Sequence, residues 1–383
     1  MSPLPLKVPR IAESRFTAWV LNRWYGPHPI AFLKPFASLF EWSVQRRRKA
    51  YSSGRKQVKR LPVPVIVVGN IVVGGAGKTP TVLAVVDALK HLGYRPAILS
   101  RGYGAHPQHP RMVTAHSTPS EVGDEPVLLF RHAGVPLAVG VDRFAAGQLL
   151  LRQHPEINCI VSDDGLQHYA LHRDIEWVVI ARDRGLGNGA LLPAGPLRES
   201  ISRLSEVDAL VLHGTSPQRS SESQIAQVQP LEALIPEAVP QFTLVLTMGA
   251  PEPFQQWRAK LDSQHLEQVA NQSSQEKRDE WDNPHAWSVW KGNLVHAVAG
   301  IGHPQRFFTA LEQQGMVVTP HAFADHHRFA GHELNFPEPY PIMMTEKDAV
   351  KCLNLALDRH WVVPLHAKLD SHAVAWLRNK LEK

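Results

Sequence analysis

Gly77-Lys78-Thr79 follows Val72-Val73-Gly74-Gly75-Ala76 and precedes Pro80, and these residue types suit a polyphosphate. Glycines let backbone N–H groups of a tight turn approach an anion, and the first turn of a following helix adds partial positive charge. In a phosphate-binding loop, Lys78 reaches the β- and γ-phosphates and Thr79 supplies a hydroxyl to magnesium. The usual pattern has a glycine where this chain has Val72, while further glycines stand at Gly69, Gly74 and Gly75. The alternative is a structural turn that uses glycine only for positive φ.

The flanking residues favour the first reading. Val65 to Val68 is a short apolar run fit for a buried parallel strand, with Pro64 at its start. Beyond the loop, Val82, Val85, Val86 and Leu89 fall at helical spacing on one face. A second strand, from Arg95 to Ser100, runs into Ser100-Arg101-Gly102-Tyr103-Gly104, where Arg101 is either a phosphate contact or a surface residue. Asp124, in Gly123-Asp124-Glu125-Pro126, sits where a helix would begin and so reads at least as a cap.

A third strand, Asn158 to Ser162, ends in Asp163-Asp164-Gly165-Leu166-Gln167-His168. A carboxylate at that sheet edge can hold magnesium beside the phosphate loop; the plainer alternative is an Asp-Gly turn. His172-Arg173-Asp174 imitates a protein-kinase triplet, but no asparagine follows at the required spacing and the chain continues into a strand. The Gly- and Pro-rich run 187–197 must be an irregular loop, with Arg198-Glu199 placed to open a helix at the site.

The chain has 383 residues, room for two domains, with an ordinary apolar fraction of 44%. Two cysteines form neither a disulfide framework nor a metal-ligand cluster, and no apolar run is long enough to span a bilayer. Within residues 1–60, thirteen Lys and Arg stand against two Glu, so the formal charge of +6 resides at the N-terminus and the remainder is acidic. Basic residues mix there with Trp19, Trp24, Tyr25, Phe32, Phe36, Phe40 and Trp42. That composition fits an interfacial helix on an anionic membrane; a helix packed on the protein's own core and a nucleic-acid arm are the alternatives.

The expected class is α/β: a phosphate-loop NTPase-like, mostly parallel sheet flanked by helices, a second smaller α/β domain, and an N-terminal membrane-associating helix. The boundaries are 1–50 for the basic, aromatic helix, 51–215 for the core, 216–290 for a polar linker or insertion, and 291–383 for the second domain with its C-terminal helix. In that last segment Asp325-His326 reads as a proton-handling pair or as a surface histidine. Thr345-Glu346-Lys347-Asp348 lacks the spacing of a guanine-reading motif.

Taken in order, Gly69-Asn70 through Lys78-Thr79-Pro80, Ser100-Arg101-Gly102-Tyr103-Gly104, Gly123-Asp124-Glu125-Pro126, Asp163-Asp164-Gly165-Leu166-Gln167-His168, Leu192-Pro193-Ala194-Gly195-Pro196-Leu197-Arg198-Glu199, Ala299-Gly300-Ile301-Gly302-His303-Pro304, Asp325-His326 and Met344 to Val350 carry a resemblance. The chain resembles the tetraacyldisaccharide 4'-kinase family of lipid A biosynthesis, including its phosphate loop without the first glycine. Val72 departs from the small polar residue of many members, and 216–290 is hardly covered. The resemblance implies ATP and Mg2+, and phosphorylation of the 4'-hydroxyl of an anionic glycolipid, tetraacyldisaccharide 1-phosphate. It implies work at the cytoplasmic face of the inner membrane, with neither nucleic acid nor a protein partner. It places ATP on Val72, Val73, Gly74, Gly75, Ala76, Gly77, Lys78 and Thr79, supported by Arg101, Arg198 and Glu199. Magnesium falls to Thr79, Asp164 and Asp163, and catalysis to Lys78, to Asp124 as base and to His326 as its partner from a domain that closes over the first. A nucleotide switch or metallochaperone-type NTPase is the alternative from another class.

Overall fold

The computed structural model describes residues 15–105, 108–214, 230–261 and 287–382. They belong to two units: a larger one of Thr17–Thr247 with His366–Lys383, and a smaller one that includes Met248–Leu365.

In the larger unit, α1 (Arg15–Trp24) and α2 (Lys34–Ser52) are separate helices joined through a 3-10 turn at Ala31–Leu33. The sequence suggests one helix over 1–50; Gly26, Pro27 and Pro29 interrupt it, since proline lacks an N–H and biases its predecessor away from helix. Residues 1–14 of that expectation lie outside the described residues. Phe32, Phe36, Leu39 and Trp42 are exposed, at 69, 60, 63 and 56%.

The sheet begins with β1 (Val65–Gly69), buried throughout, and α3 (Lys78–His91), whose Val82, Val85, Val86 and Leu89 are fully covered as their spacing demands. Then follow β2 (Pro96–Ser100), β3 (Arg111–Met112), α4 (Pro119–Val122), α5 (Asp124–Ala133), β4 (Leu137–Val139), α6 (Arg143–Gln153), β5 (Cys159–Asp163), β6 (Ile175–Ala181) and β7 (Ala209–His213). A short α7 (Leu231–Leu234) precedes β8 (Gln241–Met248). The sheet order is β14-β8-β7-β6-β1-β5-β2-β4-β3, where β14 is Leu365–Leu369. β1 pairs in parallel with both β5 and β6, with Val68 opposite Asp163 on one side and Trp177 on the other. Neither neighbour follows β1 in sequence, so the chain leaves β1 and β5 in opposite directions and opens a crevice at their carboxyl ends.

The smaller unit has a five-stranded sheet, ordered β11-β10-β12-β13-β9. Its strands are β9 (Glu252–Pro253), β10 (Leu294–Ala299), β11 (Val317–Ala322), β12 (Ile342–Thr345) and β13 (His360–Val363), with α8 (Pro304–Gln313) and α9 (Glu346–Ala349) between them. All described pairs are parallel except the edge β9, which runs antiparallel to β13.

The chain's division differs from the composition-based boundaries. Residues 241–247, β14 from His366 and the C-terminal α10 (Ser371–Leu381) belong to the larger unit, while 248–261 join the smaller one. The reason is aromatic packing that charge and polarity averages conceal. Trp177 of β6 is fully buried, its ring centroid 5.6 Å from Phe242 of β8 and 6.0 Å from Trp376 of α10. Trp177→Ala should lower unfolding free energy by about 3–5 kcal/mol in urea titration. Trp177→Phe should cost less, because it keeps a ring and removes an indole N–H that has no acceptor among the described residues.

Candidate active site

The phosphate loop is fixed at its start by backbone pairing with the 187–198 loop. Arg198 N–H donates to Ile71 O at 2.7 Å, Val73 N–H donates to Pro196 O at 2.9 Å, and Val72 bridges Leu197. Val72 turns its side chain into the hydrophobic core, and its carbonyl accepts from Asn70 Nδ2 at 2.6 Å. Val73 O accepts from the Tyr25 hydroxyl at 3.3 Å. Neither Val72 nor Val73, both expected on ATP, presents a side chain suited to phosphate, and both Val73 backbone groups are engaged within the protein.

Past Val73 the situation reverses. Among the described residues no acceptor pairs with the amide N–H groups of Gly74, Gly75, Ala76, Gly77, Lys78 or Thr79. Gly74 and Gly77 have φ of +102 and +78, which side-chain-bearing residues rarely adopt. A Cβ on Gly77 would lie 2.4 Å from His213 Nε2, and His213 donates from that atom to Ala76 O at 2.8 Å. His213, at the carboxyl end of β7, therefore turns the Ala76 carbonyl away from the amides. The resulting row of unpaired donors at a helix N-terminus fits a polyphosphate.

Lys78 stands at the first position of α3, its Nζ 3.4 Å from Asn70 Oδ1 and 3.6 Å from Asp164 Oδ1. Arg198 Nη1 donates to both Asp164 oxygens at 3.1 and 3.2 Å. Burial pushes the Asp164 carboxyl up, but Lys78 and Arg198 outweigh it and hold it below the ordinary value. Asp164 also has φ +46, a strained conformation that aspartate tolerates better than most residues. Its side chain remains 32% accessible.

Asp163 points inward, 2% exposed, and accepts from Ser100 Oγ at 3.0 Å. Burial, then Glu125 and Asp164, push its carboxyl up to about 7. Arg143, buried at the start of α6, donates to the carbonyls of Gly140 at 3.2 Å, Asp163 at 3.1 Å and Asp164 at 3.4 Å, holding the turn between the two acids. The two acids and the Thr79 hydroxyl are oxygen groups of the kind magnesium takes, Asp164 accessible and Asp163 turned inward. No group of three His, Cys, Asp or Glu that could hold a metal occurs among the described residues, so a substrate would have to complete the set.

Asp124 is the first residue of α5 and is buried; its Oδ1 accepts from Glu125 N–H at 3.0 Å. Gly123 has φ +96, and a Cβ there would lie 2.6 Å from Tyr103 O, so the loop carrying exposed Arg101 presses on the start of this helix. Glu199 lies in the interior at 1% exposure: one oxygen accepts from Gln167 Nε2 at 2.8 Å, the other from the Tyr169 hydroxyl at 2.7 Å. Arg203 Nε lies 3.4 Å from the latter oxygen. Gln167 Nε2 also donates to Asn70 O at 3.1 Å, so Glu199 supports the end of β1 through Gln167.

His326 belongs to the smaller unit, with φ +61 and its Nε2 3.8 Å from Asp325 Oδ2; Asp325 Oδ1 accepts from Lys347 Nζ at 3.2 Å. The larger unit thus gathers Lys78, Thr79, Asp163, Asp164 and Arg198 at one sheet edge. Gln167, Arg143 and His213 received no role from sequence reasoning. His213 ends a buried strand at that edge, which was its only available signal.

An aspartate with a raised folded value binds a proton that the unfolded chain, at 3.8, has already released. Stability from this group therefore falls as pH rises from about 4 to about 7 and stays low above. Asp163→Asn should stabilise the fold relative to wild type by an increment that grows over that window, read from urea midpoints. A difference independent of pH would show that the carboxyl ionises normally.

Comparison with known proteins identifies the family. The family model described as LpxK, tetraacyldisaccharide-1-P 4'-kinase, matches residues 30–382. The tetraacyldisaccharide 4'-kinase of Methylobacillus flagellatus is 44% identical over 356 residues, 93% of each chain. That of Alkalilimnicola ehrlichii is 45% identical over 337 residues, 88% of each. The crystal structure of LpxK from Aquifex aeolicus in complex with ATP superimposes with a TM-score of 0.68 at 26% identity, over 92% of this chain and 98% of that one. A match that runs from residue 30, ahead of α2, through both sheets to the last helix leaves one assignment, and the chain belongs to the tetraacyldisaccharide-1-P 4'-kinase family.

Proposed function

We propose that the protein transfers the γ-phosphoryl group of ATP to the 4'-hydroxyl of tetraacyldisaccharide 1-phosphate, giving the 1,4'-bisphosphate of lipid A biosynthesis and ADP. The observation that carries this reading is the row of unpaired amides from Gly74 to Thr79 beside Lys78, on a chain matched by the family model almost throughout. The family match gives the nucleotide-switch alternative no support.

Phosphoryl transfer needs alignment and charge neutralisation more than covalent chemistry from the protein. The loop amides and Lys78 bind the β- and γ-phosphates and take up charge as the bond to the leaving oxygen breaks. The acceptor oxygen forms the new bond to phosphorus, and Asp124 accepts its proton. Asp164, the more accessible acid, with Thr79 and Asp163, would hold a magnesium ion, which supplies charge neutralisation at the phosphate oxygens. Arg198 shares Asp164 with Lys78, and its guanidinium would be available to a phosphate were Asp164 to hold the metal. Arg101 is offered as a contact to substrate phosphate, and His326 as the orienting partner of Asp124.

The acceptor is a glycolipid, and its 1-phosphate makes it anionic, so the protein must reach it at a membrane surface. No helix of the described residues is long and apolar enough to cross a membrane. The exposed Phe32, Phe36, Leu39 and Trp42, with Arg46, Arg47 and Lys49 further along α2, suit shallow insertion into an anionic leaflet. The cytoplasmic face of the inner membrane is the proposed location.

Incubation with labelled ATP and the tetraacyldisaccharide 1-phosphate should move label into the lipid; label appearing only as free phosphate would refute the reading. Lys78→Ala should lower turnover at least a hundredfold, on the scale of lost electrostatic stabilisation. Asp124→Asn should lower kcat by about 10²–10⁴ with ATP affinity retained. Trp42→Ser with Phe36→Ser should weaken sedimentation with anionic vesicles, and unchanged sedimentation would return α2 to a purely internal role.

A further inference from the structure

Residues 23–30, the end of α1 and the segment that follows it, are held by the loop that braces the phosphate loop. Asn188 N–H donates to Trp24 O at 2.8 Å and Asn188 Nδ2 to Arg23 O at 3.2 Å. The Trp24 indole N–H donates to Pro193 O at 3.0 Å, and Ile30 N–H to Ala194 O at 3.2 Å. Two residues further along, Pro196 O accepts the Val73 amide. The opposite side of Val73 is also tied to this segment, because its carbonyl accepts the Tyr25 hydroxyl. The Arg184 guanidinium lies over the Tyr25 ring at 4.3 Å from its centroid, and Arg184 Nη1 lies 3.3 Å from the point a Cβ on Gly74 would occupy. Tyr25, Arg184 and the loop wall a shared cleft.

Val73 is the last residue before the unpaired amides. Those amides bind an anion well only if they point together before it arrives, since ordering them at the moment of binding subtracts from affinity. A fixed carbonyl at Val73 sets the direction of the Val73–Gly74 peptide, and hence where the flexible Gly74-Gly75 pair begins. A helix anchor has no need of this contact; the hydroxyl reaches past α1 to the loop that takes the phosphates.

We infer that Tyr25 is a positioning residue for the phosphate loop, and that seating of the N-terminal segment raises the affinity for ATP. Its second half rests on the proposed surface docking of α2. A surface that holds the exposed Phe32 and Phe36 favours the seated segment, and coupling of this kind is reciprocal: ATP then strengthens docking.

Tyr25→Phe removes the hydroxyl and keeps the ring against Arg184. Titration calorimetry with MgATP and no lipid should show a dissociation constant raised about three- to tenfold, the size of one hydrogen bond. The KM for detergent-dispersed glycolipid, with no membrane surface present, and the urea midpoint should be unchanged. Trp24→Phe should move ATP affinity in the same direction. Wild-type ATP affinity in Tyr25→Phe overturns the assignment, as does an equal loss for ATP and glycolipid with a lower midpoint. Phosphatidylglycerol vesicles without acceptor should tighten ATP binding in wild type and leave Tyr25→Phe nearly unaffected. Wild type that sediments with the vesicles but keeps its ATP affinity overturns the coupling. Wild type that fails to sediment overturns the docking reading and the coupling with it, whereas the lipid-free titration still decides the role of Tyr25.

Discussion

The short backbone pairing of Ile71–Val73 with Pro196–Arg198 is the constraint on which the site depends. It takes a segment more than a hundred residues downstream and fastens it beside the first strand of the sheet. By donating its amide to Ile71, Arg198 is carried to Asp164, which it shares with Lys78. The same pairing engages Ile71 O and the Val73 amide, and among the described residues the amides from Gly74 to Thr79 have no protein acceptor. The row of unpaired amides thus begins where the internal hydrogen bonding stops.

Adjacent acids in one turn behave oppositely, and their surroundings explain it. Asp163 faces the interior with one neutral donor, Ser100, and with Glu125 and Asp164 as neighbouring charges, so burial dominates and its proton is held tightly. Asp164 faces Lys78 and Arg198 and remains ionised. Arg143 binds the backbone of the turn rather than either carboxylate, holding the turn between the two acids while its charge also favours the ionised Asp164. Deeper still, Glu199 and Glu176 share Arg203, whose guanidinium stays protonated; such buried charges are tolerable only because each is multiply hydrogen-bonded.

In the smaller unit the Thr345-Glu346-Lys347-Asp348 run shows how a sequence pattern can conceal a structural clasp. Asp348 is fully buried and accepts from Gly300 N–H at 3.0 Å, Thr345 Oγ1 at 2.7 Å and Lys351 Nζ at 2.7 Å. Its hydrogen-bonding capacity is spent joining the end of β10 to the turn after β12, and Glu346 likewise accepts from Trp257 and from Leu365 N–H. Spacing alone rejects the guanine reading, but only these contacts say what the residues do instead.

Local chemistry was therefore legible in the sequence. Val65–Val68, the glycine-rich turn and the helical spacing of Val82 to Leu89 depend on near neighbours, and they determined the strand, the loop and the helix without reference to the rest of the chain. Asp163-Asp164 at a strand end was legible for the same reason. The membership of β8, β14 and α10 in the larger unit was not, because it rests on Trp177, Phe242 and Trp376 meeting from three distant segments. Nor was the fate of Glu199, expected with Arg198 to support the ATP site, whose side chain turns inward to Gln167 and Tyr169. By itself the sequence marked residues 72–79 as a run suited to phosphate. Which amides remain unpaired, and that Tyr25 and His213 aim them, only the tertiary structure decided, because hydrogen bonds between residues 48 and 137 positions apart leave no periodic trace along the chain.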